Sequence, residues 1–67
     1  MTTTSQENTR AILTNQDLAD RLQMPEQTLA IWRMKGYGPR FFKAGRYVRY
    51  RLADVLAWEL EQLEATA

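Results

Sequence analysis

Apolar residues recur along this chain in short runs whose period changes. Leu18, Ala19 and Leu22 fall at i, i+1 and i+4, one stripe of a helix. Thr14 just upstream is suited to an N-cap, and Asp17 three residues on puts negative charge in the first turn, so the pattern predicts a helix over Asn15–Leu22. Pro25 stops its continuation, because the residue before a proline is pushed out of the α region, and this leaves Gln23 and Met24 as a turn. A second helix is predicted from Pro25 to Lys35, with Pro at the first helical position and Gly36 past the end. Leu29 and Trp32 give it one buried side. Gln27, Ala30, Ile31 and Met34 are left facing outward.

Beyond Gly36 the helical period is lost. Tyr37-Gly38-Pro39 reads as a turn, followed by two β-prone runs, Phe41–Lys43 and Tyr47–Arg51, around Ala44-Gly45-Arg46. Alternation places Val48 and Tyr50 on one face of this hairpin and Tyr47, Arg49 and Arg51 on the other. A last helix is predicted from Leu52 to Glu64, with Leu52, Val55, Leu56 and Leu63 as its stripe, Trp58 beside them and no N-cap side chain before it. Two short helices joined by so tight a turn must cross steeply, as in a helix-turn-helix. The expected order is α-α-β-β-α, mostly α with a small β-hairpin that packs as a wing. Residues 1–12 are expected to be a flexible arm, 13–64 the folded domain and 65–67 a tail.

Composition narrows the chemistry. The chain has 67 residues with no Cys and no His. Roughly fifty residues in the folded part make a small core, which calls for the large aromatics to be buried. Trp32, Trp58, Phe41, Phe42 and Tyr50 are therefore expected to be mostly core. No apolar run is long enough to span a membrane and the polar N-terminus has no signal-peptide h-region, so a soluble, cytoplasmic protein is expected. Without His, Cys or a Gly-rich phosphate loop, and with carboxylates scattered on helix exteriors, neither an enzyme nor a metal or cofactor site is expected.

The formal net charge is only +1, but its distribution is uneven. From Arg33 to Arg51 the chain carries Arg33, Lys35, Arg40, Lys43, Arg46, Arg49 and Arg51 and no acid, whereas Leu52 to Ala67 carries Asp54, Glu59, Glu61 and Glu64 and no base. Such asymmetry points to a polyanionic partner, with a solvated basic loop as the alternative. Lys43, Arg46 and Arg49 lie on the hairpin and its tip, where long cations reach phosphates or a narrow minor groove, with Lys35 and Arg40 flanking them. Charged residues that merely protect an exposed strand edge are the other explanation.

The stretch LTNQDLADRLQMPEQTLAIWRMKGYGPRFFKAGRYVRYRLADVLAWEL resembles the winged helix-turn-helix domains of the MerR-like excisionase family, found in phage excisionases and related transcriptional regulators. The resemblance runs from Leu13 to about Leu63, and its most specific pieces are LTNQDLADRL, TLAIWRMKGYGP and RYVRYRLADVLAWE. It implies that Glu26, Gln27, Thr28, Ala30, Ile31 and Arg33 lie on or beside a recognition surface that enters the major groove of double-stranded DNA. Gln27 suits adenine, Arg33 a phosphate or a guanine, and Ala30 or Ile31 a thymine methyl. Gln23 holds the turn position where such units often carry Gly for a left-handed backbone.

The resemblance further implies a phage protein acting in a bacterial host. Several copies would bind adjacent sites, bend the DNA and help an integrase run recombination towards excision. A small transcriptional regulator of the same fold is the nearest alternative. A protein-interaction module using Ala30, Ile31 and Met34 is the alternative of another class.

Overall fold

The computed structural model describes residues 11–66. It contains β1 (Ile12–Thr14), α1 (Asn15–Leu22), α2 (Glu26–Lys35), β2 (Phe42–Ala44), β3 (Tyr47–Arg51) and α3 (Leu52–Thr66). The expected α-α-β-β-α order is present, preceded by one short strand that the hydrophobic pattern does not announce. The sheet is antiparallel with strand order β1-β3-β2, so the hairpin partner β3 lies at its centre. Ile12 pairs with Arg51 and Thr14 with Arg49, which places Ile12 in the folded domain and not in the expected 1–12 arm. Residues 1–10 of that arm lie outside the described residues, as does Ala67 of the expected tail. Ala65 and Thr66 continue α3.

Helix α1 begins as its sequence dictates. Thr14 accepts a hydrogen bond from the Asp17 N–H at 2.9 Å, while the Asp17 carboxylate accepts from the Thr14 N–H at 3.0 Å, a reciprocal capping box. The helix ends at Gln23, whose backbone is left-handed (φ 57°) and whose N–H reaches back to Ala19 and Asp20. Gln thus takes the conformation that glycine adopts more cheaply. Pro25 is extended (ψ 147°) and serves as the N-cap of α2, so the helix starts at Glu26, one residue later than expected. Its carbonyl accepts from the Thr28 N–H at 3.1 Å.

The core consists of Leu18, Ala19, Leu29, Tyr50 and Val55, with Leu13, Leu22, Met24, Trp32 and Val48 packed against it. Trp32, Tyr37 and Trp58 form an aromatic cluster, with centroids 5.0 Å apart for Trp32–Tyr37 and 5.5 Å for Trp32–Trp58. Gly38 makes this possible: at φ 95°, an added Cβ would lie 2.9 Å from Trp32 Cε3. Phe41 departs from the expected aromatic core, being 42% exposed.

α3 lacks a side-chain N-cap in the sequence, and the residue just before β1 supplies a backbone substitute, the Ala11 carbonyl accepting from the Leu52 N–H at 2.9 Å. Only Val55 of the expected stripe is fully buried; Leu56 and Leu63 face solvent together with Leu60. They lie at i, i+4 and i+7 about 100° round the helix from Val55, a separate face. At the far edge Glu59 pairs with Arg21 of α1, through bonds of 2.7 and 3.0 Å.

Candidate nucleic-acid interface

The outward side of α2 is formed by Gln27, Ala30, Ile31 and Met34. Because Leu29 is fully buried, the residues about 180° from it around the helix must project outward. Gln27 is exposed, Ile31 is 43% exposed and Met34 87%, while Ala30 and Thr28 are partly covered. Lys35 is exposed at the end of the helix. The face expected from spacing is therefore present in the fold.

Two expected readers are tied down. Arg33 is part-buried, and its Nη1 donates to Asn15 Oδ1 at 2.7 Å and to Tyr50 Oη at 2.8 Å. Its guanidinium also lies 5.8 Å from the centroid of the Phe41 ring. Asn15 in turn donates from Nδ2 to Glu26 Oε1 at 3.2 Å. Tyr50 is only 1% exposed, so its hydroxyl needs a partner inside the fold, and Arg33 is that partner. Both N–H groups of Nη1 are committed to intramolecular acceptors, so Arg33 joins α2 to α1 and β3 through this nitrogen, while its Nε and Nη2 donors take no part in these bonds. Glu26 remains exposed, but it helps join the first turns of α1 and α2.

This chain of contacts has a geometric consequence. Glu26 and Arg33 belong to α2, Asn15 to α1, Tyr50 to β3 and Phe41 to the segment entering β2. One network fixes the outward helix against the hairpin.

On the hairpin, pairing assigns the side chains to faces. Phe42 pairs with Arg49, Lys43 with Val48 and Ala44 with Tyr47. Directly paired residues share a face, so Arg49 lies with Phe42, Tyr47 and Arg51 on the outer side, whereas Lys43 lies on the side of Val48 and Tyr50 at an exposed edge. The expected wing cations are thus divided between two faces. Arg49 is partly buried, donates to the Val48 carbonyl at 2.7 Å and lies 5.3 Å from the Tyr47 ring centroid. Arg46, in the two-residue loop with Gly45, also lies over the Tyr47 ring, 5.8 Å from its centroid. Arg51 lies 5.7 Å from the Phe42 ring centroid.

No family model, curated protein or solved structure matches this chain.

Aromatic rings under guanidinium groups hold the long side chains extended at little entropic cost. Tyr47 is 56% exposed, with the Arg46 and Arg49 guanidinium groups both near its ring. Arg51 is exposed on the same outer face, an addition to the cations singled out from sequence. Arg40 is exposed beside the turn that precedes β2. None of Lys35, Arg40, Lys43, Arg46, Arg49 and Arg51 is in an ion pair among the described residues. Their positive charge remains available to a polyanion.

The described residues bring no three His, Cys, Asp or Glu side chains together as a metal-holding group. No helix among them is long and apolar enough to cross a membrane.

Proposed function

We propose that this chain is a sequence-preferring duplex DNA-binding protein of excisionase type, which occupies adjacent sites, bends the DNA and directs an integrase towards excision. The observation that carries DNA binding is the joining of an exposed helix face to a cation-bearing hairpin through the Glu26–Asn15–Arg33–Tyr50 network. A helix held at a fixed attitude to a basic wing can present side chains to a major groove while the wing meets the neighbouring backbone or minor groove. The excisionase role draws on the sequence resemblance. Cooperative occupation has a physical basis: a module with few base contacts binds weakly alone, and neighbouring copies raise the effective affinity.

A mobility-shift titration on random-sequence duplex at low and moderate salt tests DNA binding. Affinity is expected to fall steeply with salt, and Arg46→Ala is expected to weaken binding to every duplex and lower the log–log salt slope by about 1. No binding at low salt, or binding indifferent to salt, overturns the proposal. Footprinting on a selected fragment is expected to show adjacent sites filling together; a single short site without cooperativity removes the multi-copy part.

A further inference from the structure

We infer that α2 reads the 5-methyl edge of thymine in A·T base pairs of the major groove, with Ile31 and Met34 as the methyl contacts and Gln27 as the adenine contact. This rests on the duplex reading above and specifies the base chemistry of the same site.

The inference begins with what the outward face lacks. Guanine offers two acceptors in the major groove, and the usual partner is an Arg or Lys reaching both. Arg33, the one arginine on α2, spends its Nη1 on Asn15 and Tyr50 and is part-buried. Lys35 is the last residue of the helix, four after Ile31 and so beside the row at its C-terminal end, where its ammonium is placed for the phosphates that flank the groove. Cytosine offers a donor that an acidic side chain accepts, but Glu26 sits on the Asn15 side of the helix and accepts from Nδ2 there. The exposed row itself, Gln27, Ile31 and Met34, thus carries no charged side chain to meet a G·C pair.

What the face possesses is complementary to A·T. Gln27, Ile31 and Met34 fall at i, i+4 and i+7, one row along the outward side, with Ala30 beside them. Seven residues of helix rise about 10 Å, close to three base-pair steps. The thymine methyl is the only apolar group on the major-groove edges of the four base pairs. Met34 is 87% exposed and Ile31 43%, apolar surface that gains nothing in water. The cations at Lys35 and on the hairpin flank the row, so a polyanion brings its groove to these side chains. Met34 adds an unbranched, adaptable thioether that can fit a methyl without a fixed rotamer.

The test uses a pool of duplexes with a randomised core, enriched on the full chain and then copied with either dTTP or dUTP. The copies have the same sequences and differ only in the thymine methyl. Enriched cores are expected to hold A·T pairs, and the uracil copies to bind about fourfold more weakly for each methyl contacted, at unchanged salt slope. Met34→Ala and Ile31→Ala should each narrow the gap between the two copies, and the exposure of Met34 makes that variant safe for the fold. Equal affinity of the two copies overturns the inference while leaving salt-dependent duplex binding intact. Enrichment of G·C cores, or none at all, also overturns it. If no duplex binds even at low salt, the functional proposal falls and takes the inference with it.

Discussion

Arg33 shows how a single side chain gains a structural role once its neighbours are known. In sequence it is a cation near the end of a helix, followed by Lys35, and it joins the run of positive charge. Its acceptors, Asn15 and Tyr50, lie 18 and 17 residues away, and no local pattern announces them. Removing the guanidinium leaves the fully buried Tyr50 hydroxyl without its donor, at a cost of about 1–3 kcal/mol. Arg33→Met is therefore expected to lower the urea midpoint markedly. Adding Tyr50→Phe is expected to return part of the loss, since the unpaired acceptor is then gone. A greater loss in the double variant than in Arg33→Met alone would contradict this account.

Among the elements, α1 was legible because everything it needs is local: Thr14 and Asp17 cap it, Leu18 and Leu22 give its stripe, and Pro25 prevents its extension. β1 was not legible, because a three-residue strand is too short to display alternation. The residue just before this strand explains how α3 starts without a capping side chain, since the Ala11 carbonyl receives the Leu52 N–H. The exposed leucines of α3 were misassigned for a related reason: a stripe of apolar residues reads as core unless the extent of the neighbouring elements is known. Gln23 illustrates a sequence choice that works against its conformation. A left-handed non-glycine residue costs about 1–2 kcal/mol, of which glycine's greater unfolded freedom offsets about half. Gln23→Gly is expected to raise stability by about 0.5–1 kcal/mol, read as a higher urea midpoint at unchanged slope. A lower midpoint would mean that the Gln23 side chain makes a stabilising contact.

For the whole molecule, acid sensitivity follows from the pair that ties α3 to α1. The Arg21 guanidinium hydrogen-bonded to Glu59 holds that carboxyl below its usual range, with burial opposing the shift and the nearby positive charge adding to it. The unfolded chain then binds the proton more readily, so the pair's contribution is present above the ordinary carboxylate range. It is lost as pH falls through the lowered folded value. The pair is partly exposed, and a contribution below about 1 kcal/mol is expected. Glu59→Gln should be less stable than the parent at pH 7, and the two midpoints should converge in acid. A gap that persists undiminished in acid would show that the carboxylate charge is not its source.

The strand order β1-β3-β2 carries a consequence for behaviour at high local concentration. The longest strand is enclosed on both sides, and the two outer strands have three residues each. Among the described residues, each outer strand is thus a short edge, which disfavours pairing with a strand from another molecule. Copies held close together are therefore expected to meet through side chains rather than by joining sheets edge to edge.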